Sequence, residues 1–238
     1  MADQTLIVIP AFQEAERLGD VLAQIRRTVP DLPLLVIDDG SRDATAHIAR
    51  AAGVAVVSHP FNLGYGAAIQ TGYRYALRGG YRAVIQMDAD GQHDPESLAR
   101  IRARLAEGYD LVLGSRFLEA GSYRPPLARR LGMALFRSCA AVFVAVPISD
   151  VTTGYQGLSR QLMASYDREG GFPHDYPDAN MLVRAARAGF RLTEVAVRMR
   201  SNPTGGSLHV GLKPLLYVFK MLFAIAVEGA RPRRRREP

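Results

Sequence analysis

The chain has 238 residues, of which 48% are hydrophobic and 22% charged, with a formal net charge of +7 and a single cysteine. This composition is typical of a globular protein, and it excludes both an intrinsically disordered chain and a small disulfide-stapled domain. The length predicts one domain, or at most two, and the amino terminus lacks the basic stretch and long apolar core of a signal peptide.

The positive charge is concentrated at the carboxyl end of the chain. From Gly211 onward there are seven Lys or Arg residues and two Glu residues, which leaves a net charge of +2 for residues 1–210. A nucleic-acid-binding module using this basic tail is one function to consider. It predicts basic charge spread over the fold, whereas the body is nearly neutral and carries clustered carboxylates, so we expect no nucleic acid partner.

The first half of the chain alternates short apolar runs with amphipathic stretches. The runs are rich in Val, Ile and Leu, which is typical of strands buried on both faces. The predicted strands are residues 6–9, 34–37, 54–57, 84–87 and 111–113, and the predicted helices are residues 16–29, 43–52, 66–78 and 95–106. This alternation predicts an α/β fold with a mostly parallel central sheet flanked by helices. Ser41 or Asp43 is expected to cap the second helix, and Asp94 with Pro95 to begin the fourth.

The second half of the chain is less regular. It predicts one helix over residues 127–146, a strand at 154–158, a helix at 179–188 and a strand at 192–197. We expect one compact domain over residues 1–210, followed by a C-terminal amphipathic segment over residues 211–238. Residues 215–227 are apolar except for Lys220, and a membrane span needs about 20 apolar residues.

This C-terminal run therefore predicts a helix at a membrane interface, with the arginines at 231 and 233–236 facing anionic headgroups. A core helix packed on the domain and a solvated tail are the alternatives.

Polar residues follow four of the predicted strands directly, at residues 10–14, 38–41, 88–90 and 114–116. Any one of these groups alone would be an ordinary turn, because Asp, Gly and Ser favour turns. Ligands of open α/β sheets bind beyond the carboxyl ends of the strands. The four groups together therefore predict a ligand site at this edge of the sheet.

Asp88 and Asp90 lie two residues apart just past a strand, so both carboxylates can turn toward one ion. Carboxylate oxygens suit Mg²⁺ or Mn²⁺, and Mg²⁺ commonly takes further oxygens from a bound diphosphate. Such a metal would neutralise the charge on a leaving phosphate. Gln92 or His93 could complete its coordination, whereas an isolated Asp-x-Asp triplet is also common in turns.

Two further segments fit a nucleotide. Asp38 and Asp39 can accept hydrogen bonds from a nucleobase or a ribose hydroxyl, or one of them can cap the following helix. Gly64 and Gly66, in the segment before the third helix, let the backbone approach a ligand closely. A plain helix-entry turn explains that segment as well.

Five segments occur in an order that resembles one known family. They read Val8-Ile-Pro-Ala-Phe-Gln-Glu14, Val36-Ile-Asp-Asp-Gly-Ser-Arg-Asp-Ala-Thr45, Asn62-Leu-Gly-Tyr-Gly66, Met87-Asp-Ala-Asp-Gly-Gln-His93 and Gly114-Ser-Arg116. They resemble the family 2 glycosyltransferases of GT-A fold, and most closely the polyprenyl-phosphate branch, which is similar to dolichyl-phosphate mannose synthase. The resemblance covers residues 5–210. It implies a GT-A domain, a nucleotide-diphospho-sugar donor, Mg²⁺ or Mn²⁺, and inversion at the anomeric carbon.

The resemblance also implies roles for single residues. The implied metal ligands are Asp88, Asp90 and Gln92. The implied nucleotide-sugar-binding residues are Pro10, Phe12, Glu14, Asp38, Asp39, Gly64, Gly66, Asp88 and Ala89. The implied acceptor or phosphate-binding residues are Ser115, Arg116, Asp150, Gly154, Tyr155, Arg200 and Ser207. The implied catalytic residues are Asp90, Arg116 and Asp178. Arg116 suits this role because a guanidinium can bind phosphate oxygens in a bidentate way.

Asp178, with Asp175 as its rival, is the candidate general base for an acceptor hydroxyl, and a helix N-cap is the alternative for either residue. A phosphate acceptor is already an anion and needs no base. Asn202 stands where relatives often carry Arg, so Arg200 or His209 would have to supply that charge. The Gln-x-x-Arg-Trp motif of processive polysaccharide synthases is absent, because the chain has no Trp.

The predicted function is metal-dependent, inverting transfer of one sugar from a nucleotide diphosphate sugar to a polyprenyl phosphate. The alternative acceptor is a hydroxyl of a lipid-linked saccharide or of a cell-surface glycan precursor. We expect a cytoplasmic protein that is peripheral on the inner, anionic face of the membrane. A separate membrane protein is a further candidate partner.

Overall fold

The computed structural model describes residues 4–118, 127–168, 172–173, 177–199 and 213–231. It contains a seven-stranded sheet with helices on both faces. The strands are β1 (Thr5–Ala11), β2 (Leu34–Asp38), β3 (Ala55–Ser58), β4 (Ala83–Gln86), β5 (Leu111–Ser115), β6 (Gln156–Ser159) and β7 (Leu192–Ala196). The helices are α1 (Ala15–Thr28), α2 (Thr45–Ala51), α3 (Tyr65–Arg78), α4 (Leu98–Ala106), α5 (Leu127–Ala141), α6 (Arg160–Arg168), α7 (Ala179–Arg187) and α8 (Lys213–Ala230).

The strand order in the sheet is β3-β2-β1-β4-β6-β5-β7. All neighbouring pairs are parallel except those of β6, which runs antiparallel to both β4 and β5. The prediction of an α/β fold with a mostly parallel sheet is therefore confirmed. The antiparallel insertion of β6 is a feature that the strand pattern alone did not predict.

Alternating side chains of the buried strands supply two hydrophobic cores. In β1, Leu6 and Val8 face the core that is completed by α3, α5, α6, α7 and α8. Ile7 and Ile9 face the opposite core, which α1, α2 and α4 complete. Successive side chains of a strand point to opposite faces, so an unbroken apolar run fits a strand covered on both sides. β3 departs from the prediction, because it is an edge strand whose residues are half-buried or exposed.

The helix predicted over residues 127–146 is too long. α5 ends at Ala141, and the chain then turns and reaches Pro147 in irregular structure. Proline disfavours helical geometry in the residue before it, so an apolar run that leads into a proline does not continue as helix. The strand predicted at residues 154–158 is shifted, since β6 begins at Gln156.

α8 packs against α7 and α5, with Met221 and Ile225 buried in the core. Glu228 of α8 is buried and accepts hydrogen bonds from Arg184 of α7 at 3.1 and 2.6 Å. One face of the predicted interfacial helix thus belongs to the body of the protein, as the core-helix alternative requires. None of the helices in the described ranges has the length and hydropathy needed to cross a membrane. The boundary at residue 211 stays a prediction, because residues 200–212 lie outside the described residues.

Candidate active site

The carboxyl ends of β1, β2 and β4 lie side by side at one edge of the sheet. The parallel register pairs Ala11 with Asp38, so β1 and β2 end at the same level. The last residue of β4, Gln86, pairs with Val8, so the loop after β4 starts three residues earlier along the sheet. Asp88 follows two residues after the end of β4. The predicted gathering of polar groups at this edge is thus what the topology produces.

The loop after β1 is held by side chains of the loop after β2. The backbone N–H groups of Gln13 and Ala15 donate to Ser41 Oγ at 3.0 Å and to Asp43 Oδ2 at 3.1 Å. The prediction that Ser41 or Asp43 is the N-cap of α2 is wrong, because Ala44 occupies that position. Asp94 does cap the short 3₁₀ helix that precedes α4 by accepting from the Glu96 N–H. The two loops therefore form one hydrogen-bonded wall of the site.

The predicted nucleoside-binding residues lie along this wall. Phe12 is 42% exposed, whereas Pro10, Asp38 and Ala89 are buried. Asp38 accepts a hydrogen bond from the Ser41 N–H at 3.1 Å through Oδ1. Their nucleotide-binding roles stay predictions, and Phe12 is the side chain among them that is open to a ligand.

Asp39 lies on the inner side of the same wall and is bonded within the protein. Its carboxylate accepts from the N–H groups of Leu63 and Gly64, both at 2.9 Å, and contacts His59 at 2.7 Å. Gly64 has φ of +99°, a conformation that side chains disfavour. Gly66 is buried in the first turn of α3. Asp39 thus holds the entry to α3, and a direct contact with a ligand stays a prediction.

Asp88 is fixed by two neighbouring side chains. The Tyr65 hydroxyl donates to Asp88 Oδ1 at 2.9 Å, and His93 Nε2 lies 3.2 Å from Oδ2. Burial alone would raise the pKa of Asp88, but the His93 and Tyr65 hydrogen bonds and the charge of Arg116 outweigh it and lower that pKa below its ordinary value. Asp88 is therefore held as a carboxylate with a defined orientation.

Asp90 and Glu14 lie near Asp88, but their pKa values are raised, whereas that of Asp88 is lowered. Burial, followed by the charge of Asp88, raises the pKa of Asp90. Burial also raises the pKa of Glu14, with smaller contributions from the charges of Asp90 and Asp88, although Glu14 pairs with Arg17 at 3.0 Å. Three carboxylates thus repel one another here, which is the electrostatic situation that a cation relieves.

Gln92 lies against Asp90, as its place in the motif suggested. Its backbone N–H donates to Asp90 Oδ1 at 2.9 Å and its side-chain amide to Oδ2 at 2.6 Å. Within the described ranges, no group of three or more His, Cys, Asp or Glu side chains is arranged to hold a metal by itself. A cation at Asp88, Asp90 and Gln92 would therefore need further oxygens from a ligand, as Mg²⁺ commonly does.

Neutralising Asp90 is expected to raise the melting temperature of the metal-free protein at neutral pH. Because the pKa of Asp90 is raised, the native state binds this proton at a higher pH than the unfolded chain does. The associated stability is present below the unfolded pKa and is lost as pH rises through the folded pKa. Asp90→Asn mimics the protonated form. In thermal melts with EDTA, the difference in melting temperature between this variant and wild type should therefore shrink as the pH is lowered. A lower melting temperature than wild type at neutral pH would contradict this.

Arg116 forms a buried, two-pronged ion pair with Asp150. Its Nε and Nη2 donate to the two carboxylate oxygens at 2.5 and 2.6 Å, and Asp150 is fully buried. Glu194 of β7 in turn accepts from the backbone N–H groups of Ser149 and Asp150, both at 2.8 Å. Ser115, also fully buried, bonds the Ser149 hydroxyl at 2.6 Å.

This arrangement qualifies the implied phosphate roles. One edge of the Arg116 guanidinium is occupied by Asp150, while its positive charge lowers the pKa of Asp88. Direct contact of Asp150 with an acceptor would require the pair to open. The geometry gives Asp150 the task of orienting Arg116, and its acceptor-binding role stays a prediction.

Gly154 lies directly against the Asp88 carboxylate. A Cβ atom at this position would come within 2.9 Å of Asp88 Oδ2 and 3.0 Å of the Tyr65 hydroxyl oxygen. The Gly154 carbonyl is held by the amide of Gln86 at 3.0 Å. Tyr155 is fully buried, with its hydroxyl donating to the Asp94 carbonyl at 3.3 Å, so it supports the site from within the core.

Asp178 occupies the N-cap position of α7, but its side chain makes no capping hydrogen bond. After burial and the influence of Asp88, its charge is among the causes that raise the pKa of Tyr65. The structure thus brings Asp178 near the Tyr65–Asp88 pair. Five residues named in the sequence analysis lie outside the described residues, so what was predicted for them stays a prediction. They are Asp175, Arg200, Asn202, Ser207 and His209.

Several site residues were missed by sequence reasoning. Tyr65, His59, Gln86 and Glu194 all support residues at the sheet edge. Only Tyr65 carried a signal, since it lies within the Asn62–Gly66 motif. The others are isolated polar residues within or directly after strands, and their partners come from distant parts of the chain.

Comparisons with known proteins show the family of the chain. Residues 6–164 match the family described as Glycosyl transferase family 2. The chain is 31% identical to polyprenol monophosphomannose synthase of Mycolicibacterium smegmatis over 97% of this chain and 88% of that protein. It is 31% identical to undecaprenyl-phosphate mannosyltransferase of Micrococcus luteus, over 86% of each protein.

Solved structures show the same fold. Glucosyl-3-phosphoglycerate synthase of Mycobacterium tuberculosis in complex with UDP superposes with a TM-score of 0.73 at 22% identity, covering 96% of this chain and 80% of that one. The same enzyme with Mn²⁺ and UDP-glucose gives a TM-score of 0.71. The sequence match, the curated relatives and the strand order agree. The chain therefore belongs to glycosyl transferase family 2 and is a glycosyltransferase of GT-A fold.

Proposed function

We propose that this enzyme transfers one sugar from a nucleotide diphosphate sugar to a polyprenyl phosphate, with a divalent metal and with inversion at the anomeric carbon. The observation that carries the proposal is that Glu14, Asp88 and Asp90 lie together at one edge of the sheet. The pKa values of Glu14 and Asp90 are raised there. The names of the two mannosyl-transferring relatives support the class of acceptor.

The residues at this edge fit a hard cation. Mg²⁺ is usually bound by one or two carboxylates together with substrate phosphates and water, and here two carboxylates and one amide are in place without a complete protein cage. Asp88, Asp90 and Gln92 would hold the metal. When bound, it would neutralise the charge that develops on the leaving nucleoside diphosphate.

The remaining residues have tasks that follow from their positions. Phe12 offers an exposed ring beside Asp38, suited to a nucleobase and its sugar. Arg116, oriented by Asp150, places a fixed positive charge near Asp88, where a donor or acceptor phosphate would be bound. A phosphate acceptor is already nucleophilic, so no side chain has to remove its proton.

The test is a donor and acceptor panel. UDP- and GDP-sugars with Mg²⁺ or Mn²⁺ are incubated with a polyprenyl phosphate, and nucleotide release and glycolipid formation are measured. The proposal expects turnover with at least one donor, only with metal, and a product of inverted anomeric configuration. Absence of turnover with every donor, or equal turnover in EDTA, would refute it.

A hydroxyl acceptor is the second candidate, because the charge of Asp178 acts on Tyr65, whose hydroxyl donates to Asp88. As a general base it would remove the proton from an acceptor hydroxyl. A lipid-linked saccharide in the same panel separates the two. Transfer to the saccharide that is lost in Asp178→Asn would favour this reading, whereas transfer to polyprenyl phosphate that survives the substitution would favour the first.

We further propose that the enzyme works as a peripheral protein on an anionic membrane, where a lipid phosphate resides. The outer side of α8 is apolar, with Phe219 72% and Phe223 65% exposed, and Val227 follows at the same spacing. The chain continues past α8 into the arginines at 233–236, which lie outside the described residues. An apolar helix face next to basic residues is typical of interfacial membrane binding.

Truncation after Arg231 is expected to weaken binding to anionic liposomes. It removes four arginines, each contributing about 1 kcal/mol near an anionic surface. It keeps the Arg184–Glu228 pair that holds α8 on the body. Cosedimentation with anionic and neutral vesicles is the measurement, and Phe219→Ser with Phe223→Ser probes the apolar face. Unchanged binding of the truncated protein would contradict the role of the tail, and binding to protein-free vesicles would show that no separate membrane protein is needed.

A further inference from the structure

His59 lies directly after β3 and joins two separate parts of the protein. Its Nδ1 lies 2.7 Å from Asp39 Oδ1, and its Nε2 lies 2.9 Å from the Thr71 hydroxyl of α3. The side chains of His59 and Asp39 are 8% and 5% exposed. Because a carboxylate only accepts hydrogen bonds, Nδ1 must carry the hydrogen in this contact.

The Asp39 carboxylate is also the centre of the loop that leads into α3. It accepts from the N–H groups of Leu63 and Gly64, so its oxygens bind the loop on one side and His59 on the other. Gly40 presses against the backbone of Phe61, where an added Cβ atom would clash. The loop therefore has little freedom to shift while these contacts hold.

We call the contacts of Asp39 with His59, Leu63 and Gly64 the clamp, and this clamp is connected to the candidate metal site. Gly64 is followed by Tyr65, whose hydroxyl donates to Asp88 Oδ1. A displaced Gly64 would move the start of α3 and with it the donor that orients Asp88. His59 itself contacts neither Asp88 nor Asp90 in any described hydrogen bond, so its effect on the site would pass through Asp39 and the loop.

We propose that His59 is a positioning residue for donor binding, acting through Asp39 to hold residues 62–65 in the conformation that receives the nucleotide. This inference rests on the proposed function for its ligand, but the clamp itself can be tested without one. If His59 only stabilised the fold, its loss would lower the melting temperature and leave the nucleotide affinity of the folded protein unchanged.

The chain allows the two hydrogen bonds to be separated. His59→Asn keeps a donor near the position of Nδ1, His59→Gln keeps one near Nε2, and His59→Phe removes both. His47, exposed on α2, supplies the matched control His47→Gln. For each protein, Kd values for UDP and for GDP with Mn²⁺ are measured by calorimetry, with kcat and KM for the active donor. Amide hydrogen exchange of Leu63 and Gly64 is followed without nucleotide.

His59→Phe and His59→Gln are expected to raise the nucleotide Kd about tenfold, whereas His59→Asn and His47→Gln stay within about threefold of wild type. KM for the donor should rise more than kcat falls, and exchange at Leu63 and Gly64 should accelerate only in the first two variants. Unchanged exchange, or a wild-type Kd in His59→Phe, would overturn the clamp. If wild type itself bound neither nucleotide, the proposed function would fail, and the exchange result would still decide whether the clamp exists.

Discussion

Replacement of Asp90 by Asn is expected to lower metal-dependent transfer about 10³-fold or more, with the protein still folded. A metal ion contributes several kcal/mol to stabilising a leaving phosphate, and each 1.36 kcal/mol is about a tenfold change in rate. The carboxylate of Asp90 lies beside Gln92 and near the charges of Asp88 and Glu14, so its neutralisation removes repulsion and leaves the fold intact. Sugar transfer with saturating donor and a series of Mn²⁺ concentrations is the measurement.

Asp20 supplies the control, because it is an exposed carboxylate on α1. Asp20→Asn removes the same charge and should keep full activity. The assignment of Asp90 would be wrong if Asp90→Asn retained wild-type turnover and the same dependence on Mn²⁺. Loss of activity together with a lowered melting temperature would indicate damage to the fold in place of a lost ligand.

The second large effect is expected at the Arg116–Asp150 pair. Asp150→Asn leaves the buried guanidinium without its counter-charge, and breaking a buried ion pair on one side costs about 3–5 kcal/mol of folding free energy. For a chain of this size, that corresponds to a fall of about 10 °C in melting temperature. Activity should fall as well, because Arg116 would lose the orientation that places its charge near Asp88.

A double variant separates stability from function. Arg116→Met combined with Asp150→Leu replaces the pair by apolar side chains, which often restores the stability of a broken buried pair. We expect a melting temperature well above that of Asp150→Asn, but no recovery of sugar transfer. The exposed pair between Arg74 and Asp167 is the control, since Asp167→Ala should cost less than about 1 kcal/mol. Full activity in the double variant would refute a phosphate role for Arg116.

The local sequence pattern predicted most elements of the sheet and its helices. In α1, the buried residues Leu18, Val21, Leu22 and Ile25 follow the spacing of one helix face, so the prediction of residues 16–29 differs from the observed helix by one residue at each end. The helix predicted over residues 127–146 was too long, because an apolar run has the same appearance in a helix and in the irregular segment that follows it. Pro147 was the signal for its end.

Buried position depends on neighbours that the local pattern does not contain. β3 has the apolar composition of an interior strand, yet it lies at the edge of the sheet and is partly exposed. β6 pairs with β4 and β5 in the antiparallel sense, which follows from the route of the chain between them. Composition is the same for a strand in either direction, so the sense of pairing was not predictable from it.

By itself, the sequence determined the class of fold, the family, and the edge of the sheet at which the candidate site residues gather, because these depend on periodicity, motif order and strand-end residues along the chain. Tertiary structure decided which polar residues meet at that edge. Asp150 lies 34 positions from Arg116, Glu194 lies 44 from Asp150, and His59 lies 20 from Asp39. Such pairs form only when strand register and helix packing bring distant segments together, since hydrogen bonds and ion pairs act over a few ångströms.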